Sequence, residues 1–312
     1  MSISVIIASW NNADRLARTV RAVLSCTIPD DVTKCELVVV NNNSTDHTDR
    51  VLGNLAENEP RLVRIFEPIQ GLSAARNAGI KAAKGDLLIF ADDDITPCAG
   101  WITAYWHAYR NNDQPAFFGG PIESDFEGQA PDAELLPYAP ASVKGLDLGA
   151  SRRELTTKEH FLAANWSLPL SAALAVGGFD ESLGLKANSS TISGEEDDLQ
   201  ARLREQGFRA IYLPETRVAH YVPSSKVNLA HIASRMEMYG AKVGRKLALS
   251  YEGPRIGKSP RFLFRQIWSA RAASYLWKFL SRRNYYKKYL RYRHLCGVRR
   301  AFTNSTSEGL ET

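Results

Sequence analysis

The chain has 312 residues, of which 44% are hydrophobic and 23% charged, and a net charge of +5, which is the composition of a globular protein with one large domain and appended segments. No uninterrupted apolar stretch approaches the roughly 20 residues of a bilayer-spanning helix, the N-terminus shows no signal-peptide pattern, and the four cysteines lack metal-ligand spacing. We therefore expect a cytoplasmic protein that does not span a membrane.

Short β-rich runs alternate with helix-periodic stretches in the first part of the chain. The predicted strands are 3–8 (ISVIIA), 36–40 (ELVVV), 62–66 (LVRIF) and 86–90 (DLLIF), and the predicted helices are 12–24, 46–57 and 73–83, the last of them stopped by Gly85. This alternation predicts an α/β fold with a parallel sheet and helices on both faces. Ligands of such sheets bind beyond the carboxyl ends of the strands, so those ends are the places to search for a site.

Three aspartates, Asp92, Asp93 and Asp94, directly follow the fourth predicted strand. Neighbouring carboxylates repel one another, and keeping them ionised is costly unless a cation neutralises them. Oxygen ligands suit Mg²⁺ or Mn²⁺, and Mg²⁺ commonly binds through carboxylates together with substrate phosphates. The cluster predicts a metal-diphosphate site, and the alternative is a solvated acidic turn with a helix-capping Asp.

The rest of the chain changes character twice. Residues 112–160 are rich in Gly and Pro and predict loops and short strands rather than a second globule. A helix is expected near 195–206 from the phase of Leu199 and Leu203. Beyond residue 225 the sequence is helical and basic.

Three separated motifs carry a family resemblance. The strings SVIIASWNN (4–12), VVVNNNSTD (38–46) and GLSAARNAGIKAAKGDLLIFADDD (71–94) resemble the donor-binding half of inverting family 2 glycosyltransferases, of the bacterial polysaccharide or surface-glycan type. The resemblance implies a GT-A fold, which is Rossmann-like with a mostly parallel sheet, over residues 1–224. Residues 1–98 would be the nucleotide-donor half, 99–224 the acceptor half, and 225–312 a helical, basic extension.

The resemblance also implies roles for single residues on the donor side. Asp94 would be a metal ligand, with Mn²⁺ or Mg²⁺ as the cofactor, and Arg76 would lie near the donor diphosphate. Many relatives have Asp where this chain has Asn41, a position that contacts the donor base, so a UDP-sugar is the default donor with its base preference open. The expected donor-binding residues are Ser9, Asn11, Asn41, Arg76, Asp92 and Asp93.

A second acidic group opens the segment GEEDDLQARLREQGFRAIYLPETRVAH at 194–220. Four acids at a helix start are also favoured by the helix dipole, so a structural role is the alternative. In the resembled family an acidic pair here supplies the base for the acceptor hydroxyl, and a downstream His joins the metal or diphosphate shell. The matching residues are Glu195, Glu196, Asp197 and His220, with Glu196 as the expected base and Asp197 as the alternative.

Two further residues fall on the acceptor side of the resemblance. Asn165 and Trp166 precede an apolar stretch that ends in GGFDE at 177–181. The Trp166 ring is of a kind that stacks on a sugar face, and the alternative is a buried core tryptophan.

The C-terminal part holds most of the excess positive charge. Residues 253–300 contain fourteen of the 39 Lys and Arg and no Asp or Glu, which leaves 25 basic and 34 acidic residues elsewhere, a net of −9. Aromatic residues interleave with the basic ones over 261–293. This pattern predicts an amphipathic helix on an anionic membrane surface, and the alternatives are a helix packed on the catalytic domain and, third, nucleic-acid binding, which we do not expect.

Together these patterns predict a metal-dependent inverting transfer of a sugar to a glycan or lipid-linked acceptor in polysaccharide or surface-glycan synthesis. The protein would be cytoplasmic, with a peripheral place on the inner face of the cell membrane. A nucleotidyltransferase is disfavoured, because SWNNADR stands where such enzymes have a Gly-rich phosphate loop after the first strand. A sugar-nucleotide or glycan-binding protein without turnover remains the alternative from another class.

Overall fold

A computed structural model describes residues 1–184 and 194–308 of the chain, with side chains through residue 305. Residues 185–193 of the predicted acceptor half and 309–312 of the predicted extension lie outside the described residues. The strands are β1 (Ser2–Ser9), β2 (Lys34–Asn41), β3 (Leu62–Phe66), β4 (Leu87–Ala91), β5 (Ile95–Pro97), β6 (Ala116–Gly119), β7 (Ile122–Phe126), β8 (Arg153–Glu154), β9 (Trp166–Pro169), β10 (Arg209–Tyr212), β11 (Val218–Val222), β12 (Arg255–Ile256) and β13 (Ser259–Pro260).

The α-helices of the described residues agree with the sequence periodicity where it was strong, in the first part of the chain and near 195–206. They are α1 (Ala13–Leu24), α2 (Thr48–Ala56), α3 (Leu72–Ala82), α4 (Trp101–Arg110), α5 (Ala141–Lys144), α6 (Leu170–Ala175), α7 (Glu195–Glu205), α8 (Leu229–Ala248), α9 (Arg261–Trp277) and α10 (Arg282–Glu308). Short 3-10 turns lie at Leu136–Tyr138 and Ser224–Lys226.

An eight-stranded sheet forms the centre of the fold, in the order β3-β2-β1-β4-β9-β6-β10-β8. β1, β2, β3 and β4 are parallel, as their alternation with helices predicts, and β10 is parallel to β6. β9 runs antiparallel to both β4 and β6. In register, Ser9 pairs with Asn41 and Ile7 with Ala91, so the polar residues that follow β1, β2 and β4 leave the sheet at the same edge.

The two faces of the sheet carry separate apolar cores, because successive strand residues point to opposite sides. Ile3, Val5 and Ile7 of β1 pack on the side of α1 and α4, and Ile6 packs on the side of α3, α6 and α7. These side chains are buried, and full burial of one such side chain contributes about 1.5–3 kcal/mol relative to its exposure. Helices on both faces were the arrangement predicted.

Gly85 has a different role from the helix stop that the sequence suggested. α3 already ends at Ala82, and Ala83 is extended. A Cβ atom on Gly85 would lie 2.3 Å from the backbone nitrogen of Ser4 and 2.5 Å from the carbonyl carbon of Ile3. Glycine is therefore required for the chain to pass closely across β1 before it enters β4.

A small three-stranded sheet, in the order β5-β11-β7, follows the end of β4. β5 and β11 are antiparallel, and Ile95 pairs with His220. This register matters for the candidate site, because Ile95 directly follows the aspartate triplet.

The chain divides into two compact units: Met1–Asp125 with Gly145–Tyr221, and Phe126–Lys144 with Val222–Thr312. The division near residue 222 lies close to the sequence-based boundary at 224. Residues 126–144, however, group with the C-terminal helices, whereas the sequence-based division placed them in the catalytic domain. Apolar packing explains this grouping, because Leu135 and Val143 pack with Ile232, Tyr286 and Leu290.

The second unit is built on close contact between α8 and α10. Gly240 and Gly244 of α8 face the backbone of α10, so that a Cβ atom would lie 2.0 Å from the carbonyl oxygen of His294 and 2.2 Å from that of Val298, respectively. Glu237 forms ion pairs with Arg293 and Arg300, each at 2.6 Å. Within the described residues, no helix has the length and apolar content needed to cross a bilayer.

Candidate active site

The turn at Asp92–Asp94 begins where the buried, apolar strand β4 leaves the sheet. β5 starts at Ile95, so the triplet is confined to a tight connection between two strands. Each carboxylate has a different partner in the structure: Asp92 contacts Arg76, Asp93 contacts β1 and its loop, and Asp94 contacts His220. The triplet is therefore an organised cluster rather than a solvated acidic turn.

Asp93 anchors the turn to the end of β1. One of its oxygens accepts a hydrogen bond from Ser9 Oγ at 2.5 Å, and the other accepts from Asn12 Nδ2 at 2.8 Å. Burial raises the pKa of Asp93 to about 7, although the hydrogen bond from Ser9 opposes the shift. With both oxygens engaged, Asp93 is suited to holding the connection in place.

Asp94 and His220 meet through the pairing of β5 with β11. Ile95 pairs with His220, and the backbone nitrogen of Tyr221 donates to the carbonyl of Asp94 at 2.9 Å. His220 Nε2 lies 3.3 Å from Asp94 Oδ1, and the histidine is buried. The prediction that these two residues belong to one site agrees with this geometry.

Asp92, Asp94 and His220 offer ligand atoms that lie within 4.8 Å of one another. Two carboxylate oxygens and one imidazole nitrogen suit a divalent cation such as Mn²⁺. Burial raises the pKa of Asp92, and the nearby guanidinium of Arg76 opposes that shift. A bound cation would offset the cost of these buried carboxylates, so the residues present fit a metal.

Arg76 projects from α3 into a group of three carboxylates and is only 2% exposed. Its guanidinium lies 2.8 Å from Glu196, 3.3 Å from Asp92 and 3.5 Å from Glu195. Burial alone would lower the pKa of Arg76, but the three carboxylates raise it, so the cation is maintained. Arg76 thus joins the aspartate turn to the start of α7.

Glu196 lies in the first turn of α7, where the helix dipole favours negative charge. Gly194, with φ of 134°, precedes the helix, and its N–H donates to Glu195 Oε2 at 2.8 Å. Burial raises the pKa of Glu196 to about 7, and the charge of Arg76 opposes the rise while that of Glu195 adds to it. A carboxyl with such a pKa can exchange a proton near neutral pH.

Asp197 and Asp198 face other surroundings than Glu196. Asp197 is exposed, and Asp198 pairs with Arg202 at 2.7 Å on the same helix. Of the acids predicted as candidate bases, Glu195 and Glu196 are thus the two that contact Arg76.

The loop after β2 is shaped by asparagine side chains. Asn41 Oδ1 accepts from Ser44 N at 3.0 Å, and Asn42 donates to the carbonyls of Glu67 and Ile69. Asn11 Oδ1 accepts hydrogen bonds from the backbone nitrogens of residues 45 and 46. Asn11 and Asn43 both have left-handed backbones, with φ of 51° and 56°. These bonds connect the ends of β1 and β2, where the predicted donor-binding residues meet.

Asn165 and Trp166 are not on an exposed acceptor face. Trp166 is 0% exposed and stacks on Phe90 at 5.3 Å between ring centroids, so its ring is not available to a sugar. Asn165 is equally buried, and its Oδ1 accepts from Trp101 Nε1 and Tyr105 OH. Both residues lie in the core, which corrects the acceptor-side prediction. For Trp166 this is the alternative of a buried core tryptophan.

Two residues near the site escaped prediction. Asn12 binds Asp93, and Arg15 contacts Asn12 Oδ1 at 3.4 Å while its guanidinium lies 4.1 Å from the ring centroid of Tyr221. Asn12 belongs to the motif SWNN that carried the family resemblance, which was the available signal. For Arg15, an ordinary helix position in the sequence, no signal was present.

Comparison with known proteins relates the chain to a class of enzymes. Residues 4–136 match the model of glycosyl transferase family 2. This stretch of the chain is therefore similar to family 2 glycosyltransferases. The match ends before Glu196 and His220, so the place of those two residues in the candidate site rests on geometry.

Two curated relatives are glycosyltransferases. The glucosyl-dolichyl phosphate glucuronosyltransferase of Haloferax volcanii is 26% identical over 223 residues, which cover 70% of this chain and 69% of the relative. The pre-mycofactocin glycosyltransferase of Mycobacterium tuberculosis is 30% identical over 243 residues, which cover 76% of this chain but 46% of the relative. The chain is accordingly a glycosyltransferase, and it spans less than half the length of the second relative.

A solved structure shares the fold. The mannosyltransferase PcManGT of Pyrobaculum calidifontis, in complex with GDP-Man and Mn²⁺, matches with a TM-score of 0.59 and 16% identity, covering 95% of this chain and 85% of that one. The predicted GT-A fold of the glycosyltransferase, with a C-terminal helical extension, is thereby confirmed.

Proposed function

We propose that this glycosyltransferase is a metal-dependent, inverting enzyme that moves a sugar from a nucleotide-sugar donor to an acceptor hydroxyl. One observation carries the proposal: Arg76 contacts both Asp92 of the carboxylate turn and Glu196 of α7. A candidate metal site and a buried acid with a pKa of about 7 therefore belong to one connected network.

Asp92, Asp94 and His220 would hold the divalent metal, Mn²⁺ or Mg²⁺. When bound, the ion would stabilise negative charge on the departing diphosphate. Manganese in the solved mannosyltransferase supports this assignment. Arg76 supplies a second, permanently positive group beside the same carboxylates.

Glu196 is the proposed general base. Its carboxylate would accept the proton of the acceptor hydroxyl as the oxygen attacks the anomeric carbon, which inverts the configuration in a single displacement. The base must lie within about 3 Å of that proton, and a pKa near the working pH is the most effective one. Arg76 fixes the position of Glu196 by a 2.8 Å hydrogen bond.

The donor nucleoside is assigned to the ends of β1 and β2. Ser9, Asn11 and Asn41 are the proposed contacts, and Asp93 is held among them through Ser9. Asn41 Oδ1 is bonded to Ser44 N, so a contact with the base would use the amide nitrogen of Asn41 as donor. A UDP-sugar is the first donor to test, and a GDP-sugar is the second because the solved relative in fold holds GDP-Man.

The acceptor is proposed to be a glycan or a lipid-linked sugar in polysaccharide or surface-glycan synthesis. The name of the Haloferax relative, a glucosyl-dolichyl phosphate glucuronosyltransferase, supports a lipid-linked acceptor. The basic segment 253–300 supports a place on the cytoplasmic, anionic face of a membrane.

A donor screen tests the proposal. Release of nucleoside diphosphate would be followed for a panel of UDP- and GDP-sugars with Mn²⁺ or Mg²⁺, with and without EDTA. Asp94→Asn is the test variant, and Asp113→Asn, which changes an exposed aspartate in the loop before β6, is the matched control. We expect release from one donor that EDTA and Asp94→Asn abolish and Asp113→Asn leaves intact.

Three other outcomes would change the proposal. Release that persists in EDTA and in Asp94→Asn would contradict the metal assignment. A donor that shifts the melting temperature in a metal-dependent way, with no transfer to any acceptor and no release, would favour a binding protein. Retention of the anomeric configuration in the product, measured by NMR, would contradict the single displacement.

A further inference from the structure

The helix α9 and the turn after it expose an unusual amount of apolar surface in the second unit. Trp268 is 67% exposed, Tyr275 60% and Phe279 85%, and Leu276 and Leu280 are exposed as well. Exposed single hydrophobic residues are ordinary, but a contiguous group marks an interaction surface. We call these five residues the apolar strip.

Helical geometry places Trp268 and Tyr275 on one side of α9, because they are seven residues apart, close to two full turns. Phe279 and Leu280 follow in the turn after the helix. The other side of the same helix is committed to the interior, because Leu263 and Ala270 pack with Leu295 and Val298. The apolar strip is therefore not a part of that core.

Basic residues flank the apolar strip. Arg265, Arg271 and Lys278 are exposed on α9 and its following turn, and the Arg271 guanidinium lies 5.9 Å from the centroid of the Trp268 ring. The sequence from 253 to 300 contains no Asp or Glu that would neutralise them. The surface thus combines aromatic rings, aliphatic side chains and uncompensated positive charge.

We propose that the apolar strip and its basic flank bind the surface of an anionic phospholipid bilayer. Trp268 and Tyr275 would lie at headgroup level, Phe279 and the two leucines would reach the acyl boundary, and the basic residues would contact lipid phosphates. This inference rests on the membrane-surface place proposed above and assigns it to a defined face, with α9 lying in the interface.

The composition of the face argues against two other occupants. Nucleic-acid binding would use the aromatic rings for base stacking, but Leu276 and Leu280 contribute nothing to stacking. A second copy related by a two-fold axis would bring the same surface against itself, and Arg265, Arg271 and Lys278 would then face their own like charges. A bilayer with negative headgroups satisfies both the apolar and the basic residues.

Sedimentation with vesicles tests the proposal on the full chain. Vesicles of phosphatidylcholine alone would be compared with vesicles that also contain phosphatidylglycerol, at low and high salt. We expect binding to the anionic vesicles that falls with salt. The double variant W268A/F279A should reduce the partition coefficient at least about tenfold, because it removes two interfacial aromatic side chains.

A charge variant and two controls complete the design. R265Q/R271Q/K278Q should also reduce binding at least about tenfold, since each basic residue near the membrane surface contributes to attraction by anionic lipid. R18Q/K81Q/K158Q removes the same net charge from exposed residues of the first unit, and Leu174→Ala removes an exposed side chain there. Both controls should bind as the unaltered protein does, and circular dichroism would verify that every variant is folded.

The outcomes separate this inference from the proposed catalytic function. If W268A/F279A and R265Q/R271Q/K278Q lose vesicle binding but release nucleoside diphosphate at the unaltered rate, the result would support the lipid surface. Equal binding by W268A/F279A and the unaltered protein, or no preference for anionic vesicles, would overturn it whatever the donor screen shows. Binding of single-stranded RNA instead of vesicles, or a strip-dependent dimer in analytical ultracentrifugation, would overturn it in favour of those partners.

Discussion

At the scale of single residues, Glu196 is a carboxyl on which burial and a neighbouring cation act in opposite directions. Burial raises its pKa to about 7, and Arg76 limits the rise. The result is a group that is ionised above neutral pH and protonated below it. A carboxyl in water, with a pKa of about 4.3, would stay ionised across the physiological range but would be a weaker base.

The first prediction concerns pH. With Glu196 as the base, kcat/KM should rise as the pH increases through about 7, because only the ionised carboxylate accepts the proton. Glu196→Gln should lower kcat/KM by about 10²–10⁴ and remove this rise. Initial rates of nucleoside diphosphate release measured across the pH range check it.

Asp197→Asn serves as the matched variant for that measurement, since Asp197 was the alternative base in the sequence and is exposed in the structure. A normal pH profile for Glu196→Gln together with a loss of activity in Asp197→Asn would transfer the role to Asp197.

The second prediction concerns Arg76. Replacing it by Gln leaves Asp92, Glu195 and Glu196 without their shared cation, and breaking a buried ion pair costs about 3–5 kcal/mol of unfolding free energy. Without Arg76 the carboxylates would have higher pKa values in the folded protein than in the unfolded chain. The loss of unfolding free energy should therefore grow as the pH rises, because the carboxylates must ionise without a cation beside them. Denaturant unfolding at two pH values measures it, with Lys81→Gln on the same helix as the control.

An unfolding free energy for Arg76→Gln within about 1 kcal/mol of the unaltered protein, at both pH values, would contradict the structural account of that network.

At the scale of elements, the pairing of β5 with β11 decides where His220 lies. The segment VAHYV is a recognisable strand, but no local pattern tells which strand it joins. The link between His220 and Asp94 was therefore accessible only through the family resemblance. In contrast, β1 to β4 and their helices were predictable, because their periodicity is strong and each element is at least five residues long.

Other elements had no such signal. β9 has four residues, and its antiparallel insertion between β4 and β6 follows from long-range packing of Trp166 with Phe90 and Phe117. Likewise, residues 126–144 join the second unit through tertiary contacts of Leu135 and Val143 with helices that come much later in the chain. Local propensity does not encode such contacts.

The third prediction tests the close approach of Gly85 to β1. Gly85→Ala would place a Cβ atom 2.3 Å from the backbone nitrogen of Ser4, and backbone atoms cannot turn aside as a flexible side chain does. We expect overpacking to lower the unfolding free energy by at least about 1–3 kcal/mol. Gly100→Ala, where nothing lies within 4 Å of the added atom, should cost about 1 kcal/mol or less.

A melting temperature for Gly85→Ala equal to that of Gly100→Ala would show that β1 and the residue-85 connection can separate without cost, contrary to the structure.

At the scale of the whole molecule, the chain forms two compact units that can be probed separately. In the second unit, Glu237 is largely buried and joins α8 to Arg293 and Arg300 of α10. Hydrogen bonds to charged groups contribute about 1.5–3 kcal/mol each, so this carboxylate is a major link between the two helices.

The fourth prediction follows from that link. Glu237→Gln should increase hydrogen exchange of the α8 and α10 amides by at least about tenfold, because local stability sets the rate of opening. Amides of β1, β2 and β4 should exchange as before. Mass spectrometry of peptic peptides measures both regions, and uniform acceleration across the chain would contradict a separate second unit.

The distribution of the candidate site along the sequence also bears on how the protein is made. The aspartate turn is synthesised early, whereas Glu196 and His220 follow only after the chain has contributed residues 126–144 to the other unit. A nascent polypeptide on the ribosome therefore holds the three aspartates that follow β4 without the histidine and without the α7 carboxylate. The chain can assemble the candidate site only when β11 has emerged from the exit tunnel.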